Sequence, residues 1–332
     1  MAIAQPLPNQ SSWVRLAAAI GGLFAVGALL RLTDPGSAVP ALQNFFLVFG
    51  SLLIEAIPFV LLGAFVSAAI EVFLPSSALE RLARLPRPMQ LPAAGLAGLG
   101  FPVCECGSVP VARRLVSKGL APSAAVTFML AAPILNPIVI ASTVVAYRGR
   151  GIMPLMVLGR AGLGLLAAVA VGFAVSDRTK ETLLKADPDA DSHHEHDDQG
   201  RLRGFFTHLS SDFFFMGRFL VLGATVAAAL QTFVPQSVLG SVANTPLLSL
   251  VALMMLAFLL SLCSESDAFV AASFVQFGPG AQLAFLVFGP MVDTKLGFLY
   301  SGTFTRGFLR TVVLVAGSVI LAATLWVEVL AG

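Results

Sequence analysis

Gly100-Phe-Pro-Val-Cys-Glu-Cys-Gly-Ser-Val-Pro110 sets two thiols, a carboxylate, two prolines and two glycines between long apolar runs. Proline removes a backbone donor and glycine lowers helix propensity, so a helix is hard to carry through this stretch. Inside hydrocarbon, backbone freed in this way is tolerated only where protein or a water-filled cavity receives its polar groups. The stretch therefore reads as an unwound turn at a site within a membrane bundle.

The composition around it agrees. Of 332 residues, 57% are hydrophobic and 11% charged, and the mean hydropathy is +0.88, well outside the range of a soluble domain. The expected fold class is an all-α polytopic membrane protein in the lipid bilayer. Cys104, Cys106 and Cys263 are odd in number and lie in or beside apolar runs, so they read as free thiols rather than a disulfide framework. No phosphate-cradling glycine loop with its lysine and no catalytic triad is visible. An enzyme, an ATP-driven pump, a cofactor and a nucleic-acid partner are accordingly not expected.

Outward from the turn, residues 91–103 and 107–118 form two pieces, each too short to cross about 30 Å of hydrocarbon, which takes about 20 helical residues. Upstream, residues 1–40 hold a polar tail and an apolar run from about Val14 to Leu30, read as an uncleaved extra helix rather than a signal peptide. A second run spans about 45–74. Downstream come runs at about 121–147 and 152–175, then a polar stretch, 177–208. Further runs follow at about 213–234, 246–262, 281–301 and 308–330.

The polar stretch divides two related halves, 41–176 and 209–332. Phe59-Val-Leu-Leu-Gly-Ala64 matches Phe219-Leu-Val-Leu-Gly-Ala224, and Cys104-Glu-Cys-Gly-Ser108 falls on Cys263-Ser-Glu-Ser-Asp267 at nearly the same spacing. Ala132-Pro133-Ile-Leu-Asn136 likewise falls on Gly289-Pro290-Met-Val-Asp293. If the motif segments are re-entrant hairpins, one membrane face collects the loop arginines and lysines while Arg31, Arg148 and Arg150 are left on the other. The positive-inside rule favours that arrangement over one in which every segment crosses. It predicts seven full spans, two re-entrant hairpins, inverted repeats, and a cytoplasmic N-terminus and 177–208 loop, a plan that recurs in secondary transporters.

The run from Phe101 to Ile140, with Cys263-Ser-Glu-Ser-Asp-Ala-Phe269 and Phe288-Gly-Pro-Met-Val-Asp-Thr-Lys-Leu-Gly-Phe-Leu299, resembles the ArsP-type permeases. That resemblance covers about 41–330. It implies a bacterial inner-membrane permease of a family that includes organoarsenical efflux transporters, and hence arsenical resistance as one role.

The candidate substrate-binding residues are Cys104, Glu105, Cys106, Ser108, Cys263, Ser264, Glu265, Asp267, Asn136, Asp293 and Lys295. Glu105 and Glu265 stand in apolar surroundings where an unpaired charge is costly, so each is paired, protonated or facing water. If the two motifs meet, three soft sulfurs converge, which suits a trivalent arsenical or a thiophilic metal; the bland alternative is cysteine as a small core hydrophobe. Ser108, Ser264, Ser266 and Asp267 offer oxygen ligands or helix caps. Asn136, Asp293 and Lys295 sit beside prolines that open the backbone ladder, with Asp293 and Lys295 placed to pair. His193, His194 and His196 among acidic neighbours are a weak metal-binding candidate, against a self-solvating linker.

The expected function is a secondary permease for a small soft or thiophilic solute, with proton coupling through Glu105 or Glu265 as the expected mechanism and efflux as the direction the resemblance implies. Uptake of a sulfur-containing anion is the alternative within the class. A membrane thiol oxidoreductase or a non-transporting subunit is the alternative outside it. Homo-oligomerisation is compatible with either.

Overall fold

The computed structural model describes residues 38–73, 86–101, 103–185, 201–233 and 246–331. The N-terminal apolar run and the three linker histidines lie outside them. Within them the chain is helical, and the only strand-like pairing is an isolated bridge between Leu184 and Phe304.

In chain order the helices are α1 Ala38–Phe73, α2 Arg87–Leu96 with a tight turn Ala97–Gly100 on its end, α3 Glu105–Ser117, α4 Pro122–Leu135 and α5 Pro137–Ala146. After α6 Met153–Ala174 and the short α7 Lys180–Leu183 come α8 Arg201–Phe233, α9 Pro246–Leu260 and α10 Asp267–Ser273. The chain closes with α11 Pro279–Phe288, α12 Thr294–Thr303 and α13 Arg306–Ala331. Among the described residues, five segments are long and apolar enough to cross a membrane: Leu42–Phe73, Pro122–Ala146, Met153–Ala174, Arg203–Thr232 and Gly307–Leu330. This is a multi-pass membrane protein.

Two expectations change. The run at 281–301 is not one span but α11 and α12 with non-helical residues between them. Gly289 and Pro290 interrupt the ladder there, and Asp293 caps the new helix by accepting from the Leu296 amide at 2.6 Å. Helix α8 begins at Arg201, eight residues inside the stretch read as polar linker.

Helices α1 and α8 pack along their length and run antiparallel. Asn44 near the start of α1 donates to Thr232 near the end of α8 at 3.5 Å, and Leu52 packs on Ala224 and Ala227. At the other end, Ser67 donates to Asp212 at 2.6 Å and Phe65 meets Phe205 edge to face with centroids 5.1 Å apart. At α1 of 36 residues, or about 54 Å of helix, tilt or projection beyond the hydrocarbon is required.

This pair seats on α3 and α12, and glycine makes the approach possible. A Cβ on Gly63 would lie 2.3 Å from the Gly107 Cα, and one on Gly223 would lie 2.7 Å from the Lys295 Cα. Arg114 of α3 fastens the same assembly through Asp212 of α8 at 3.3 Å and Glu71 of α1 at 3.8 Å. The rest of the bundle is α2 on α4, α4 on α6, α9 on α11, α11 on α13 and α6 on α13, enclosing an alanine- and leucine-rich core.

Candidate functional site

Among the described residues, four breaks in the helices generate the site, at Val103–Cys104, Asn136, Ser261–Ser266 and Gly289–Asp293. Each is followed by a helix whose first amides need partners, and three find a side chain of the break itself. The Cys104 sulfur accepts from the Gly107 amide at 3.4 Å, Asn136 Oδ1 from the Ile138 amide at 3.0 Å, and Asp293 as described. The break in the first motif thus falls before Cys104, so Glu105 and Cys106 stand in the first turn of α3 rather than in the gap. A carboxylate in that position is favoured by the helix dipole.

The two motif turns meet. Ser264 of the second donates to Glu105 Oε2 of the first at 3.0 Å. Lys295, at the start of α12, places its Nζ 3.8 Å from Glu105 Oε1, 4.0 Å from Asp293 Oδ2 and 3.9 Å from the Cys263 sulfur. Cys106 lines a small recess with Lys295, Val60, Met216, Leu220 and Leu299. Cys104, Glu105, Cys263, Asp293 and Lys295 are each about 1% exposed, so these interactions are shielded from water and from salt screening. The three cysteines are reduced and buried.

Of the remaining candidates, Asp267 accepts from Arg160 Nη2 at 2.7 Å, with its Oδ1 unpartnered. Glu265 has both carboxyl oxygens buried with no hydrogen-bond partner among the described residues. Asn136 leaves its Nδ2 unpartnered in the same way. Ser108 turns inward to the Glu105 carbonyl at 3.0 Å and serves its own helix. Asp293 and Lys295 do lie together, but Glu105 is the nearer carboxylate. Among the described residues, no three His, Cys, Asp or Glu side chains are gathered closely enough to hold a metal ion.

Sequence reasoning missed Arg160. It lies in the middle of α6, 2% exposed, and its guanidinium reaches Thr143 on α5 at 2.9 Å, the Ser264 carbonyl at 3.0 Å and Asp267. Glu55 on α1 was also left out, and it accepts from Ser266 at 2.8 Å. Both are ionisable residues inside apolar runs, which is the signal that marks an intramembrane site. Five carboxyl groups, Glu55, Glu105, Glu265, Asp267 and Asp293, thus gather around two cations, Arg160 and Lys295. Ser261, ending α9, adds a backbone device. It is fully buried with φ +47°, and its hydroxyl accepts from the Thr294 amide at 3.0 Å, tying the second motif to the start of α12.

The breaks, buried ion pairs and spans fit a membrane carrier, and comparison with known proteins agrees. UPF0718 protein YcgR of Bacillus subtilis (strain 168) is 40% identical over 287 residues, covering 85% of this chain and 96% of that protein. A Streptococcus mutans serotype c protein whose name describes it as a two-component membrane permease complex subunit is 34% identical over 266 residues, 79% of this chain and 87% of that protein. No solved structure matches. A family model described as "Predicted permease" matches residues 41–329, and the chain belongs to this ArsP-type family.

Proposed function

We propose that the protein is a secondary permease of the bacterial inner membrane that carries a small soft or thiophilic solute through the junction of its two motif turns. The observation that carries this reading is the contact between them: Ser264 on Glu105, with Lys295 spanning both, in a buried place where unwound backbone and ionised groups meet. Such places mark substrate and ion pathways in membrane proteins. Cys104, Cys106 and Cys263 supply the soft contacts to cargo, and Glu105 or Glu265 exchanges protons against it. Efflux, with trivalent organoarsenicals among the cargoes, follows from the family resemblance.

The halves, in this reading, are inverted repeats that present the site alternately to the two faces. The antiparallel course of α1 and α8, whose sequences match in register, supports inversion. So does the approach of Arg178, just past α6, to Gly307 and Thr311 at the start of α13, the helix matched to α6. The N-terminus and the 177–208 loop are placed in the cytoplasm on the basic-residue distribution. The name of the streptococcal relative raises a second subunit as a partner, in addition to a homo-oligomer.

Transport is tested in inverted vesicles under an imposed proton gradient, with phenylarsine oxide as first cargo. Cys104→Ser, Cys106→Ser and Glu105→Gln are each expected to reduce flux at least about tenfold, the loss of about 1.4 kcal/mol of interaction; unchanged flux in all three rejects the site. Reporter tags at Gly119 and at Gln236 are expected on opposite faces, and a common face rejects the inversion.

A further inference from the structure

The surroundings of Lys295 carry information about what the site receives. A buried ammonium is expected to draw close acceptors, because stripping it of water costs several kcal/mol unless good hydrogen bonds replace the hydration. Charge-assisted bonds run at about 2.7–2.9 Å. The three acceptors around Lys295 Nζ stand instead at 3.8, 3.9 and 4.0 Å. Two of them, Glu105 Oε1 and Asp293 Oδ2, have no hydrogen bond from any group among the described residues, although both residues are 1% exposed. The lysine donates to the Cys263 sulfur but leaves the two carboxylate oxygens of the ring without a hydrogen bond.

We propose that this ring, formed by Glu105, Asp293 and Cys263 with Cys106 beside it, is a binding site for a soft cation, and that the Lys295 ammonium is its internal stand-in. The proposal rests on the permease reading and narrows its cargo from soft solutes to soft cations. With no cargo bound the ammonium neutralises the ring; an entering cation takes its place and the lysine withdraws on its flexible stem.

Charge and softness decide the class of ligand. Two carboxyl groups face one ammonium in the ring, and Glu55 lies close to Cys263, so a second anion is repelled and a cation attracted. Mixed sulfur and carboxylate donors suit thiophilic divalent or monovalent metal cations better than hard ones. Metal–donor distances are about 2.0–2.6 Å, so the ring must contract around an ion once the lysine leaves. That accounts for the lack of three close donors while the ammonium is in place.

The full-length protein in lipid nanodiscs tests this with Cd2+ as the probe and Mg2+ and K+ as hard controls. Binding is followed by calorimetry and by the ultraviolet sulfur-to-cadmium charge-transfer band. Cd2+ is expected to bind the wild type, and Lys295→Met to bind it about tenfold more tightly, since a competing charge has gone. Lys295→Arg keeps the competitor and is expected to remain near wild type. Cys263→Ser is expected to lose the band, and Glu105→Gln to weaken binding about tenfold or more. Where Lys295→Met does not fold, the wild type alone decides: mass spectrometry after treatment with a membrane-permeant amine reagent is expected to find Lys295 modified only in the presence of Cd2+.

Equal or weaker Cd2+ binding by a folded Lys295→Met, or Lys295 labelling indifferent to Cd2+, overturns the proposal. So does thiosulfate binding that disappears in Lys295→Met, which makes the lysine an anion ligand. Cd2+ binding by these rules without vesicle flux supports the cation site and counts against the permease reading. Flux of phenylarsine oxide without any Cd2+ binding does the reverse.

Discussion

The two motif turns carry similar sequence but sit in unlike surroundings. The first is enclosed: every residue from Val103 to Ala112 is buried, and α1 lies on it through the Gly63–Gly107 contact. Its carboxylate, Glu105, is held by Ser264 and faced by Lys295. The second is partly open. Glu265 and Ser266 are half-buried, α10 is seven residues long, and Phe269 and Val275 beyond the turn are exposed. Its Asp267 is clamped by Arg160, while the Glu265 carboxyl has no hydrogen-bond partner among the described residues. Each turn is secured by a cation from the opposite half, Lys295 for the first and Arg160 for the second. The lesson is that two turns of similar sequence can be packed differently, the first buried throughout and the second partly exposed.

The comparison breaks most sharply at Arg160. Removing it strands Asp267 and the Ser264 carbonyl in a dry environment, so Arg160→Met is expected to destabilise by about 3–5 kcal/mol, read as a lowered thermal midpoint in detergent. Arg160→Met with Asp267→Asn is expected to recover a large part of that loss. If the single variant melts like wild type, the second turn is not held by this pair.

A smaller effect is expected where the first turn is sealed. Gly63→Ala forces a methyl group against the Gly107 backbone, at about 1–3 kcal/mol, while Gly217→Ala on α8, which meets nothing within 4 Å, is a neutral control. Equal melting of the two shows that α1 does not seal the turn. Next, the Ser261→Ala change removes the acceptor for the buried Thr294 amide and is expected to cost about 1–2 kcal/mol without altering the first turn.

The smallest stability change is expected at the residue most relevant to coupling. Glu265→Gln breaks no hydrogen bond among the described residues, so its stability is expected within about 0.5 kcal/mol of wild type, yet proton-driven accumulation in vesicles is expected to fail while cargo exchange without a gradient continues. Loss of exchange as well places Glu265 in cargo binding rather than in coupling.

Much of this arrangement was legible because it depends on local chemistry. The apolar runs located the five spans found among the described residues, and proline and glycine located the breaks before Cys104 and at Asn136. Cys104 was readable as part of a turn, but its service as the cap of α3 was not, since that depends on the approach of the Gly107 amide. Arg160 was passed over because one arginine in a 22-residue apolar helix has no motif around it; its partners are more than a hundred residues away in Ser264 and Asp267. The proline beside Asp293 marked an opening in the ladder, but 281–301 was still read as one span because its hydrophobicity is continuous, whereas helix continuity depends on backbone hydrogen bonds that Pro290 cannot donate.

The amino-acid sequence by itself determined that this is a helical membrane protein with unwound, sulfur- and carboxyl-bearing turns, since solvent preference and backbone propensity act residue by residue. Only the tertiary structure decided which carboxylates have cations and which do not. Coulomb interactions in a low-dielectric interior fall on whichever groups are brought within a few ångströms, and that depends on how α3, α6 and α12 pack rather than on any neighbourhood in the chain.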